Sequence, residues 1–227
     1  MITAAFSYTN NVFNIYEEKA NTLVIENKKL FRNVIFAFLS NNEQEYFTFA
    51  DNFNPFDFGK KGYFISNPIN PDLSNKKLVT KVNDCLSNMI NNEYSQELSL
   101  INSSILNLAD NLIRNSSYEM TYETENIDAI SLIKLLSFHL IYDNRTLAET
   151  LVSFIVLMKQ YLKYDLFVIA DLHLYFTPEE ISEIYKTLLL NHITVFILEN
   201  SYTGVIPDAE TVCIIDNDLC LIDKGNL

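Results

Sequence analysis

The sequence predicts a mixed α/β fold, and three observations carry that expectation. Apolar runs at 166–170 and 193–198 flank a helix-patterned stretch, as in a β-α-β unit whose sheet is covered on both faces. A third β-type run, Thr22 to Ile25, leads straight into apolar residues at helical spacing. Only four Gly and five Pro punctuate 227 residues, which disfavours many-turned all-β architectures and favours long elements.

In chain order, 22–25 reads as a strand, followed by a helix whose apolar positions are Leu30, Phe31, Val34, Ile35, Phe38 and Leu39. Residues 45–49 and 62–66 read as strands on either side of the loop NFNPFDFGKKG. NPINPDLSN, at 67–75, reads as a connection ending in a helix cap at Ser74 or Asn75. Two helices packed as a hairpin are expected between 76 and 115, one carrying Leu78, Val82, Leu86, Met89 and Ile90, the next Leu98, Ile101, Ile105, Leu108, Leu112 and Ile113. Two more are expected at 130–138 and 146–161, the second capped by Asn144. Thr177 caps and Pro178 opens the helix of the β-α-β unit. Strands at 211–215 and 219–222 follow, joined by an Asp216-Asn217 turn. Strands from both ends of the chain are expected to share one sheet, giving an α/β head over 1–80 and 164–227 and a helical leg over 81–163.

A hydrophobic content of 48% supports a sizeable core. The scattered Cys85, Cys213 and Cys220 read as reduced core residues, and without a CxxC pair, and with His139, His173 and His192 far apart, zinc is disfavoured. The N-terminus lacks the pattern of a signal peptide and no 18-residue uncharged run occurs, so a cytoplasmic protein without membrane association is expected. A net charge of −13 by itself disfavours nucleic acid as a partner, because phosphates must be met by Lys and Arg.

Catalytic signatures are missing. After Ile25 the sequence is Glu26-Asn-Lys-Lys-Leu, with no glycine to let amides curl around phosphate and an acid where an anion would sit. Gly59-Lys-Lys-Gly62 has the wrong spacing for a phosphate loop. Asp171, ending LFVIAD, has two readings: an ordinary strand-end carboxylate, or the acid that holds magnesium in a P-loop ATPase. Glu119, Glu123, Glu125 and Asp128 also have two readings: hard oxygen ligands for calcium, or a solvated acidic turn before a helix. The basic groups Lys28, Lys29 and Arg32, Lys60 and Lys61, and Lys76, Lys77 and Lys81 form either a solvated surface or a segregated phosphate-binding face.

Three segments together resemble the DNA-end-binding adaptation protein family of type II-A CRISPR systems: TLVIENKKLFRNVIFAFL, EMTYETENIDAISLIKLL and NHITVFILENSYTGVIPDAETVCIIDNDLCLI. Their order, spacing and the chain length agree with that family. The resemblance implies a P-loop-NTPase-like head that does not use ATP, with a mostly helical leg. It also implies a homotetrameric ring threading onto double-stranded DNA ends, and calcium held by acidic residues, here Glu119, Glu123 and Glu125, with Asp128. Lys81 matches a basic position of the family; the other lysines are assigned to the DNA path by their clustering. The function so implied is non-catalytic assistance to spacer acquisition, alongside the spacer integrase complex and the RNA-guided nuclease. A nucleotide-hydrolysing enzyme using Asp171, and a protein-binding scaffold, are the alternatives.

Overall fold

The computed structural model describes residues 1–9, 11–123, 126–141, 145–201 and 209–223. The chain opens with β1 (Ile2–Phe6), β2 (Asn11–Ile15), β3 (Ala20–Ile25) and α1 (Lys28–Leu39). A 3-10 turn (Glu43–Glu45) leads to β4 (Phe47–Asp51), β5 (Asn54–Pro55), α2 (Phe58–Lys61) and β6 (Gly62–Ile65). Three helices follow, α3 (Lys76–Glu93), α4 (Ser95–Arg114) and α5 (Ala129–Leu136). The remainder is α6 (Leu147–Leu162), β7 (Leu166–Ala170), α7 (Leu172–Tyr175), α8 (Pro178–Leu190), β8 (Thr194–Glu199), β9 (Glu210–Ile215) and β10 (Leu221–Asp223).

The chain divides into a larger unit, Met1–Asp72 with Tyr142–Leu227, and a smaller one, Leu73–Ile141. The leg expected over 81–163 is therefore shorter at its far end, since α6 belongs to the larger unit. There its buried Phe154 lies 5.9 Å, centroid to centroid, from the ring of Tyr63 in β6. The reason is its apolar stripe: Leu151, Phe154, Ile155 and Met158 recur at helical spacing and are all buried. Its cap is Thr146, in a capping box with Glu149; Asn144, the residue expected there, lies outside the described residues.

The larger unit holds a six-stranded sheet in the order β10-β9-β3-β8-β7-β6 and a four-stranded antiparallel one in the order β2-β1-β4-β5. In the first, β9, β3, β8, β7 and β6 are parallel and β10 joins antiparallel. The apolar runs form its central strands, where every residue of β3, β7 and β8 is buried. β1 and β2 lie outside the sequence expectation, and their inward positions Ile2, Ala4, Phe6, Phe13 and Ile15 alternate with exposed or half-buried ones. The two sheets and α1 enclose one aromatic-rich core, in which the rings of Phe6 and Phe47, and of Phe38 and Phe64, are 4.9 Å apart. Gly62 belongs to this packing: a Cβ on it would fall 2.1 Å from the Phe58 ring.

In the smaller unit, Asn75 caps α3 by accepting from the amides of Lys77 and Leu78. Tyr94 separates α3 from α4. Two cysteines depart from the core placement expected of them, since Cys85 and Cys220 are exposed and Cys213 is half-buried; none forms a disulfide. Cys85 falls on the outer side of α3 and Cys220 in the turn between β9 and β10, where the Asp216 side chain accepts from its amide at 2.8 Å.

Candidate functional site

Parallel strands put their carboxyl ends on one edge, and a helix leaving that edge presents free amides there. Here β3 passes to α1 through only Glu26 and Asn27. The Asn27 side chain accepts from the Leu30 amide at 3.0 Å, so the helix start is capped by its own residue. Glu26 donates its amide to the Ile215 carbonyl at 2.9 Å, and the Asn200 side chain donates to the Ile25 carbonyl at 2.9 Å. Two residues cannot supply the eight-residue glycine loop that wraps a phosphate. What the junction offers outward is charge, because Lys28, Lys29 and Arg32 are all exposed on the first turns of α1.

On the same edge, Asp171 follows β7 with φ of 51°, and its amide donates to the Leu198 carbonyl. Burial, reinforced by the charge of Glu199 and opposed by the Asn200 amide, pushes its carboxyl up to about 6. The next residue is the buried Leu172. His173 then turns inward, with its Nδ1 2.8 Å from Glu199 Oε1 and its Nε2 3.3 Å from Glu210 Oε1. The Tyr185 hydroxyl of α8 donates to Glu210 Oε1 at 3.0 Å, and Thr22 Oγ1 of β3 donates to the same oxygen. Burial works against the imidazolium, but the hydrogen bonds and charges of Glu199 and Glu210 prevail and hold it at about 9. Burial and the Glu210 charge raise the Tyr185 hydroxyl far above the phenolic range. This cation between two buried carboxylates ties β3, β8 and β9 to α7 and α8. Sequence reasoning missed it, because its members lie 11 to 188 positions apart and meet only through strand register.

The basic groups are all exposed, but the larger unit does not bring its two together. α1 leaves the carboxyl end of β3 whereas α2 enters the amino end of β6, and these strands run in one direction, so Lys28, Lys29 and Arg32 lie at the opposite end of the sheet from Lys60 and Lys61. Lys60 is paired with Asp57 at 2.8 Å, and Lys61 lies 3.9 Å from Asp165 and 5.9 Å from the centre of the Phe56 ring. Lys76, Lys77 and Lys81 open α3 in the smaller unit, with Lys81 3.8 Å from Asp84.

Glu119, Glu123 and Asp128 are exposed, and Glu125 lies outside the described residues. Asp128 caps α5, its Oδ1 accepting from the Ser131 amide at 2.7 Å, and that bond lowers its carboxyl below the usual range. Asn102 of α4 holds the segment, accepting from the Ile127 amide at 2.7 Å and donating to its carbonyl at 3.1 Å. Carboxylates clustered in sequence have the chemistry of a hard-cation site, but among the described residues no three potential ligands come together.

Fold and site together define an α/β unit built on a mostly parallel six-stranded sheet, with a separate helical unit, in which only Glu26 and Asn27 separate β3 from α1. The sequence profile of the CRISPR-associated protein family (Cas_Csn2) matches residues 38–219, and the chain belongs to that family. No curated protein matches it significantly in sequence. Among solved structures it is similar to an ATP-binding subunit of an ABC transporter, at 10% identity and a TM-score of 0.47, covering 100% of this chain and 91% of that one. It is also similar to cbiO1 from Clostridium perfringens, part of the ABC transporter complex cbiONQ, at 11% identity and a TM-score of 0.46, covering 90% and 76%. Among the described residues no helix is long and apolar enough to cross a membrane.

Proposed function

We propose that this CRISPR-associated protein is a non-catalytic homotetrameric ring that binds double-stranded DNA ends and assists spacer acquisition with the integrase complex and RNA-guided nuclease of its system. The observation that carries the reading is the junction after β3. A CRISPR-associated family here presents an α/β head in which Asn27 caps the helix that follows β3 and exposed Lys28, Lys29 and Arg32 crowd its first turns. Phosphate recognition is then left to side-chain cations rather than a backbone loop, which suits a repeating polyanion more than a single nucleotide. Copies related by symmetry would bring cations from opposite ends of the sheet around one duplex.

Titration of a labelled linear duplex at rising salt tests this. Affinity should fall steeply with salt, and less steeply in a Lys28→Ala/Lys29→Ala/Arg32→Ala variant. Calorimetry with ATP and magnesium should give no heat; saturable heat would favour nucleotide hydrolysis at Asp171 and overturn the reading. We include calcium as a ligand of Glu119, Glu123 and Glu125, which requires the segment to rearrange around the ion. A melting temperature unchanged by calcium or EDTA would remove the ion from the reading.

A further inference from the structure

Just after β1, two tyrosine rings lie parallel and offset. Tyr8 and Tyr46 have centroids 5.7 Å apart and planes 8° from parallel. Phe6 continues the row inward, 5.9 Å from Tyr8 and 4.9 Å from the buried Phe47. Tyr46 is packed against the core, and the Asn33 side chain of α1 reaches its hydroxyl. The turn is tied down by the Ser7 amide donating to the Tyr46 carbonyl at 2.9 Å and the Ser7 hydroxyl to the Glu45 carbonyl at 3.0 Å. Tyr8 is thus held in place from the core side, yet it remains 53% exposed. Asn33 lies four residues after Lys29, so the exposed Lys29 stands one helical turn from the residue that the Tyr46 hydroxyl meets.

We propose that Tyr8, flanked by Tyr46, is a platform on which the terminal base of a DNA duplex stacks while Lys29 meets an adjoining phosphate. The inference rests on the DNA-binding reading above and adds the side chain that distinguishes an end from continuous duplex. A flat, supported aromatic face beside cations is the combination that holds exposed bases, whereas bases inside a duplex have both faces covered. Glu45 lies beside Tyr46 and opposes phosphate, so Glu45→Gln should tighten end binding.

The test places 2-aminopurine at the terminal position of a blunt duplex and compares the wild type with Tyr8→Ala and Tyr8→Phe. Parallel arms use the same duplex closed by hairpin loops at both ends and a single strand. The wild type should quench the terminal fluorophore. Tyr8→Ala should lose that quench and weaken open-duplex binding about 10-fold, leave the closed duplex unchanged, and melt as the wild type does; Tyr8→Phe should retain both signals. Unaltered quench and affinity in Tyr8→Ala would overturn the platform while leaving DNA binding standing, and quench confined to the single strand would overturn its role at duplex ends. A wild type that binds no duplex would overturn the underlying reading itself.

Discussion

The two units of the chain bury their apolar residues very differently. In the larger, whole strands are enclosed and a continuous aromatic core joins both sheets to α1. In the smaller, the 20-residue α4 has no buried residue, and Leu100, Leu108 and Leu112 are 67, 60 and 63% exposed. Water exclusion is the main source of folding free energy, so the larger unit is stable through its own core while the helical unit gains little and opens more readily. The division separates a rigid part that carries the site from a part whose apolar surface is left uncovered within one chain.

The largest expected contrast is between core truncations. Phe154→Ala should cost about 3–5 kcal/mol, read as a large drop in the denaturation midpoint, while Leu108→Ala on α4 in the dilute protein should stay within about 0.5 kcal/mol. Similar losses for the two would break the comparison. Removing the buried cation comes next: His173→Ala leaves Glu199 and Glu210 facing one another and should cost roughly 3 kcal/mol or more. The same group sets a pH dependence. His173 moves from an ordinary value of 6.5 to about 9 on folding, so its stabilisation is full below pH 6.5 and lost as pH rises through 9. Asp171, raised to about 6, acts with the same sign at lower pH. Chemical denaturation should therefore show stability falling between pH 6.5 and 9 in the wild type and flat there in His173→Gln.

Smaller effects sharpen the picture within the larger unit. Gly62→Ala forces a Cβ into the Phe58 ring and should cost about 1–3 kcal/mol; a neutral outcome would mean that the ring moves aside freely. Thr146→Ala removes one half of the α6 capping box and should cost about 1 kcal/mol, measurable as a modest shift in urea midpoint. In hydrogen exchange, α4 amides should lose protection before those of β7 and β8.

Much of this fold was legible because burial writes itself into sequence as period and run length. Leu166–Ala170 and Ile193–Leu198 announced central parallel strands, and Thr177-Pro178 announced the start of α8. β1 and β2 were missed because their buried positions alternate with Thr3, Asn11 and Asn14 and include the small Ala4, leaving no apolar run. Leu39 on α1 shows the opposite error: it fitted the helical period and is 57% exposed. The site was legible only in part. The short Glu26-Asn27 junction and the exposure of the lysines could be expected from local sequence. The stacking of Tyr8 on Tyr46 could not, because it depends on the register that sets Phe6 opposite Phe47.

The central claim is that the closed junction belongs to a protein that recognises DNA ends. Competition for a labelled blunt linear duplex, with unlabelled linear DNA in one series and a relaxed closed circle of the same sequence in the other, tests it most directly. The account predicts displacement by the linear competitor and little by the circle at equal base-pair concentration. Equal displacement by both, or no binding of the labelled duplex at all, would contradict it.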